Sequence, residues 1–572
     1  MSGQNRLLAI LLGVLAVLVL LVGGLSAVLL VSGGEDSGPS GVTTGSTDRD
    51  RDGGGDSSGD GDSSGDSSAS GRLRLGSSDP VTLDPHLATD ALSAEYIVEI
   101  YSGLVTISPN LEIELDLAEA VDISPDGTVY TFTLREDAVF HSGRPVKAQD
   151  IAYSINRATS RELQSTVARA YLGDIVGVRE HIAGLADDVS GVEVIDDRTI
   201  RFTLDAPKPF FLAKLTYPTA FVVDQQKIES NPRNWTRNPN GTGPYELKEW
   251  RLGERIVLES NPDFYLGEPP LAEVIYTLSG GSALTRFEND ELDVAGISIN
   301  DIDRARDPSS DLNSLYSFWD QYTISYLAFN TEVPPFDDVN VRRALGLSID
   351  RAKIAEVTFN NMFTPATGIL APGLPGFTDE DKTYPFDPDA ARAALAESKY
   401  TVADGRLVGP DGPVVMVVTE VGGGAEARID TQAFLEQWRT ELGLEVEIRQ
   451  TDFATFLSEQ DAGELQAFSG GWIMDYPDPE DILDLKFHSA SQLNDMGYAN
   501  PQVDDLLERA RVELDAELRL QLYRDAEELI VSDAAWLPLY FSQSHVVVNA
   551  AVKGWFEPPM VIPRLRFVEV DR

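Results

Sequence analysis

Leu7 to Val31 is an unbroken run of 25 uncharged residues, mostly Leu, Val and Ala, and residues 33–71 after it are Gly, Ser, Asp and Thr with almost nothing apolar. Together they withdraw the first 71 residues from any globular core. As a helix the run is roughly 37 Å long, enough to cross a bilayer with some tilt. Arg6 precedes it and Glu35 and Asp36 follow it, a charge order that places the N-terminus in the cytoplasm and everything else outside. A cleaved signal peptide has an apolar region of only about 7–15 residues. Cutting at the small-residue site Leu25-Ser26-Ala27 would also leave Val28 to Val31 exposed. Residues 1–32 therefore read as a retained transmembrane anchor, with a cleaved signal sequence as the alternative. Residues 33–71 cannot bury a core and read as a disordered tether. In that tether Asp48 to Gly53 (DRDRDG) matches the first half of a calcium loop, but the twelfth position is Gly59, where a bidentate glutamate is needed. No metal is expected.

The remaining 500 or so residues exceed one hydrophobic core, so two or three lobes are expected. Acids outnumber bases 93 to 45, and only 10 of the bases are lysines. That balance argues against nucleic acid or anionic head groups as partners, because phosphate binding needs Lys and Arg. The chain has no cysteine, which removes disulfides, thiolate metal sites and cysteine nucleophiles. The five histidines are scattered, with no HExxH pairing. Gly422 to Arg428 is glycine-rich but lacks the GK[ST] of a phosphate loop, and no GxSxG elbow occurs. Neither enzymatic activity nor a cofactor is expected.

Strand and helix signals alternate throughout. Tyr130 to Leu134 alternates like a half-buried strand after the turn Pro125-Asp-Gly127, and Val194 with Thr199–Leu204 reads as a hairpin around Asp196-Asp197. Helices are expected over Ala148–Ala158, Val341–Leu347, Asp387–Leu395, Ala427–Leu442, Pro501–Leu514 and Glu517–Ser532, with a strand over Leu444–Gln450. The fold class is α/β with mixed α+β lobes. His141 reads as a turn residue, and the glycines of Gly241-Thr-Gly-Pro-Tyr245 suit a tight bend. Arg342 and Arg343 lie near Asp337, Asp338 and Asp350, where a local salt bridge is expected.

A set of stretches in one order resembles the family 5 extracellular solute-binding proteins, the dipeptide- and oligopeptide-binding subunits of ABC importers. They are Val81-Thr-Leu-Asp-Pro85, Ser124 to Arg135, Phe140 to Pro145 with Ala148-Gln-Asp150, and Gly241 to Tyr245 with Trp250. Asn261 to Tyr265, Gly280 to Asp293, Phe336 to Ala344 with Ile349-Asp-Arg351, Gly471 to Pro479 and Leu537 to Tyr540 follow. The resemblance covers nearly all of 72–572 and departs at Asp290, where a glycine is usual. It implies a periplasmic-binding-protein-like fold of class C, two large lobes with a hinge and a small inserted domain. Domain I is expected at 72–107, 191–327 and 542–572, domain II at 108–190 and domain III at 328–541. It further implies a monomer that closes over a peptide and hands it to membrane permease subunits on the outer face of the cell membrane. Many members hang from a lipidated cysteine; here the N-terminal helix would take its place.

The same resemblance singles out Asp475, in Gly470-Gly-Trp-Ile-Met-Asp-Tyr-Pro-Asp-Pro479, as the counter-ion of a peptide's α-ammonium. A carboxylate gripping that shared group in a dry cleft gains roughly 1.5–3 kcal/mol net from the charge-assisted hydrogen bond. Trp472 is then an apolar wall, Gly471 and Ile473 offer backbone groups to an added strand, and Tyr540 is a further wall or hydroxyl contact. Asp475 could equally brace the Pro477/Pro479 turn or cap the helix after it. Phe468-Ser-Gly-Gly471 contains no base to pair with a peptide carboxylate. A nickel chelate, a sugar or an opine therefore stays open as cargo, and a surface-anchored hydrolase is the alternative of another class.

Overall fold

The computed structural model describes residues 71–422, 427–491, 493–560 and 564–572, the side chains of Ala454 and Asp461 excepted. The expected anchor, tether and calcium-loop match lie outside them. No helix among the described residues is long and apolar enough to cross a membrane.

The chain opens with strand β1 (Arg72–Gly76) and helix α1 (Ala91–Ile100). Strands β2 (Ala118–Ile123) and β3 (Val129–Leu134), helices α2 (Ala148–Ala158) and α3 (Ala168–Leu172), and strands β4 (Val192–Val194) and β5 (Thr199–Thr203) follow. Then come β6 (Tyr245–Arg251), β7 (Arg255–Ser260), β8 (Glu273–Thr277) and β9 (Val294–Gly296). The second half carries β10 (Tyr316–Phe329), α4 (Val339–Leu347), β11 (Phe363–Pro365), β12 (Val417–Val421), α5 (Ile429–Leu442) and β13 (Glu447–Thr451). It ends with β14 (Ala467–Ile473), α6 (Pro501–Val512), α7 (Ala516–Ser532) and β15 (Trp536–Val548).

These strands build two four-stranded sheets, ordered β1-β8-β7-β6 and β2-β3-β5-β4, and a seven-stranded sheet ordered β9-β15-β10-β14-β12-β13, with β11 against β15. In β3 the alternation puts Tyr130, Phe132 and Leu134 inward, where they pack under α2 with Ile151 and Ile155. Alternation fixes the face because a one-residue slip would turn all three outward.

The longest strands, β10 and β15, form one antiparallel ribbon whose two ends sit in different cores. Val546 packs with Leu73, Val274 and Val294 in the core of the β1 sheet. Tyr322, Ile324, Tyr326 and Phe541 pack with Leu522, Tyr523 and Ile530 of α7. Between these ends the register shifts from Asp320/Gln543 to Ile324/Phe541. Such a bulge bends a strand and raises its local twist.

One sequence reading is corrected, and two are extended. Arg342 and Arg343 form no local ion pair: Arg342 donates to the carbonyls of Phe336, Asp533 and Ala534, and Arg343 to that of Ser532. They satisfy carbonyls at the C-terminal end of α7, which no intrahelical N–H reaches. The expected bend lies at Gly243-Pro244, and the glycines also allow a close approach, because a Cβ on Gly241 or Gly243 would strike the backbone carbonyls of Ile100 or Glu99. His141 sits in a turn, as expected, and stitches this crossing, accepting from the Gly241 N–H at 3.2 Å while its other ring nitrogen meets the Gly243 carbonyl at 3.1 Å.

Candidate functional site

Strand β14 carries the sequence Ala-Phe-Ser-Gly-Gly-Trp-Ile. It is paired with β10 along its whole length, Ala467 to Ile473 against Phe329 to Thr323. On its other edge β12 reaches only Ala467 and Phe468. From Ser469 to Ile473 that edge has no strand partner among the described residues. The two glycines differ. A Cβ on Gly470 would lie 2.8–2.9 Å from the Tyr326 ring, whereas on Gly471 it would meet only the Ile324 carbonyl at 3.5 Å. Gly470 is thus required by packing. Gly471 is exposed, and packing leaves room for a side chain there.

Past Ile473 the chain turns through Met474 to Pro479 into a π-helical turn at Glu480–Asp484, a geometry that recurs at functional sites. The turn is anchored from beneath. Asp478 accepts two bonds from Arg519 of α7, at 2.8 and 2.6 Å, and one from the Glu480 N–H at 3.0 Å. Tyr476 is buried in the core of the β2 sheet, among residues far from it in sequence, and its hydroxyl donates to Glu480. Lys214 links Glu480 (3.5 Å) to Asp174 (3.0 Å). This web holds the turn against the segment carrying α3.

Asp475 is thereby presented to Tyr171 of α3, whose hydroxyl donates to its Oδ2. The Tyr171 ring stacks on Tyr217, centroids 3.8 Å apart at 9°, and meets Tyr476 edge-on. Asp481 is completely buried. Its Oδ2 accepts from the Asp475 N–H at 2.9 Å and from the Trp472 indole N–H at 3.3 Å, so one carboxylate orients both residues. Asp481 Oδ1 is buried without a hydrogen-bond partner. The Trp472 ring, half-buried, has the Lys486 ammonium 5.3 Å from its centre, itself paired to Asp495 at 2.9 Å.

No cation pairs with Asp475 or Asp481 among the described residues. Burial pushes the Asp475 carboxyl up to about 6, against the Tyr171 hydrogen bond, which lowers it. Burial, then the Asp475 charge, holds Asp481 well above the usual carboxylate range. Burial and then Asp475 raise the Tyr171 and Tyr217 phenols likewise. The group is a desolvated anionic socket with aromatic walls, beside a strand edge that has no strand partner among the described residues. It suits a cation attached to an extended chain.

Of the residues expected from sequence, Asp475, Trp472, Gly471 and Ile473 lie together on β14 and its turn. Tyr540 stands apart: it is 1 % exposed and packs edge-on against Phe359 and beside Phe363 in another core. Asp475 caps no helix; Asp478 accepts the Glu480 N–H. Sequence reasoning missed Tyr171, Tyr217 and Asp481. Asp481 sits six residues from Asp475, where it reads as one more acid among many. The tyrosines lie some 300 and 260 residues away, and only the fold brings them in.

The sequence model of the family described as "Bacterial extracellular solute-binding proteins, family 5 Middle" matches residues 112–494. The chain is 27 % identical to an oligopeptide-binding protein, OppA, of Bacillus subtilis over 489 residues, 84 % of this chain and 89 % of that one. It is 28 % identical to a probable deoxycholate-binding periplasmic protein of Escherichia coli, with the same coverage of both chains. Among solved structures it matches the E. coli murein tripeptide binding protein MppA with a TM-score of 0.73 and 25 % identity, covering 88 % of this chain and 98 % of that one.

Proposed function

The chain belongs to the bacterial extracellular solute-binding proteins of family 5, and from that we propose that it is the peptide receptor of an ABC importer. It captures di- or oligopeptides outside the cytoplasm and delivers them to membrane permease subunits. The observation that carries this reading is Asp475: a half-buried carboxyl that accepts from Tyr171, beside the Asp481-held Trp472, without a cation partner among the described residues, at the end of a strand edge that has no strand partner among them. Every unblocked peptide offers an ammonium for the carboxylate and backbone groups for the edge. Recognition of both is indifferent to side chains.

In this reading the Ser469–Ile473 edge takes the peptide backbone, Asp475 takes its α-ammonium and Trp472 excludes water, which strengthens the charge pairing. Domain I comprises 72–107, 191–327 and 542–572, domain II 108–190 and domain III 328–541. The hinge is the β10–β15 ribbon, whose ends sit in two cores and which crosses the domain boundaries near residues 327 and 541. The monomer is held at the membrane by the uncharged run of residues 7–31 and catalyses no reaction.

A second reading keeps the socket and changes the cargo. Ser469 to Gly471 offers no base for a peptide's carboxylate, so a cationic solute without one also fits. Thermal melting of the full-length protein against peptides, sugars, opines and nickel chelates separates the two. Solute at about 100 times its dissociation constant adds roughly 2.7 kcal/mol, a readable shift. Peptides alone should produce it; a shift with another class and none with peptides would overturn the peptide reading.

A further inference from the structure

The lobe built on the β2 sheet and the lobe built on the seven-stranded sheet grip each other with side chains of their own. Tyr476 leaves the turn after β14 and buries its ring in the core of the β2 sheet. Met474 and Ile482, on either side of it, stay in the core under α7. Leu111 crosses the other way: Val105 and Leu115 beside it pack in the β2-sheet core, and Leu111 packs against the core under α7. The Phe210 ring has the Lys214 ammonium 4.7 Å and the Arg519 guanidinium of α7 5.5 Å from its centre. One ion pair joins the two sides. Lys214, whose neighbours Phe211, Ala213 and Leu215 pack in the β2-sheet core, holds Asp174 at 3.0 Å and reaches across to Glu480 at 3.5 Å. Both ends of that pair are buried. Asp174 has a second cation in Lys208, at 3.2 Å. Glu480 has no cation but Lys214 among the described residues, and its other oxygen accepts from the Tyr476 hydroxyl.

Removing one partner of a buried pair leaves an uncompensated charge, whereas neutral groups in place of both are tolerated. Parting the lobes releases Glu480 to water and avoids that cost. We propose that the Lys214–Glu480 pair is a clasp that keeps the two lobes docked without solute, with the Tyr171 hydroxyl engaging Asp475 meanwhile. Solute then enters through a minor, parted form, and its capture is slowed by the fraction of molecules parted. The clasp rests on the β10–β15 ribbon being a hinge, and its effect on capture rests on the peptide reading.

The chain has no cysteine, so spin labels can be placed at Asp122→Cys on β2 and Glu528→Cys on α7, both exposed positions. Double electron–electron resonance on the solute-free full-length protein then reads the distance between the lobes. With no further change the labelled protein should give one distance, unmoved by Ala-Ala-Ala. Lys214→Met should add a longer distance and bind Ala-Ala-Ala at least tenfold faster in stopped flow. Lys214→Met with Glu480→Gln, which removes both charges, should restore the single distance, a rescue that a general loss of folding would not show. A longer distance without Lys214→Met, shortened by Ala-Ala-Ala, would overturn the clasp and keep the hinge and the peptide reading. A longer distance that survives in the double variant, or the same single distance in all three proteins, would also overturn the clasp. The expected distances with no binding of Ala-Ala-Ala by any of them would keep the clasp and refute the peptide cargo.

Discussion

Asp475→Asn should stabilise the empty protein while disabling it. Burial pushes the Asp475 carboxyl from 3.8 to about 6. A folded-state pKa above the unfolded one means that the native protein binds this proton more tightly than the unfolded chain does. The ionised group therefore penalises the fold. The penalty is absent below about pH 4, grows between about pH 4 and 6, and is complete above that. Each pKa unit corresponds to about 1.4 kcal/mol, so a rise of two units amounts to about 3 kcal/mol at pH 7. Asn has the same shape, bears no charge and still offers an oxygen to the Tyr171 hydroxyl. Asp475→Asn should then gain up to about 3 kcal/mol at pH 7 and almost nothing at pH 4. Urea denaturation of ligand-free wild type and variant at both pH values measures this, since a shifted midpoint at constant slope reports stability. A variant less stable at pH 7, or a gain of equal size at both pH values, would refute the picture of a desolvated carboxylate kept for binding at the expense of stability.

Further outcomes follow from the same geometry. Gly470→Ala, whose Cβ would press on the Tyr326 ring, should lose about 1–3 kcal/mol in denaturation. Gly471→Leu should fold as wild type yet weaken peptide binding at least tenfold; unchanged binding would remove Gly471 from the ligand path. Because the carboxylate is the binding form, the dissociation constant of a free-amine peptide should rise about tenfold per pH unit below about pH 6. A flat profile from pH 4.5 to 8 would count against Asp475. Glu527 is fully buried, accepts the N–H groups of Ile369 and Leu370 at 2.7 and 2.9 Å, and lies 2.9 Å from the Lys382 ammonium. Glu527→Ala should cost about 3–5 kcal/mol of stability without moving peptide selectivity.

What was legible in the sequence was local. The helix over Ala148–Ala158 and the hairpin around Asp196-Asp197 follow from periodicity and turn residues, and both are present. Val414–Thr419, an apolar run that alone gives no boundary, divides between two strands, Gly412–Val414 and β12. Asp475 and Trp472 stood out as an acid among aromatics and prolines, and the role expected of them came from the family resemblance. Asp481 and the two tyrosines were not: Asp481 matters for its burial and for the N–H groups of Asp475 and Trp472 that it accepts, and the tyrosines for contacts that only the fold makes. Arg342 and Arg343 show the reverse error, since nearby acids suggested ion pairs while the end of α7 supplied unsatisfied carbonyls.

The central claim is that Asp475 holds the ammonium of the solute. Calorimetric titration of the full-length protein with Ala-Ala-Ala and its N-acetyl form, on wild type and Asp475→Asn, tests it directly. The account predicts that acetylation weakens binding to the wild type about 100-fold, the equivalent of losing a charge-assisted bond of roughly 3 kcal/mol, and that Asp475→Asn no longer distinguishes the two. Equal binding of both peptides by the wild type would contradict it.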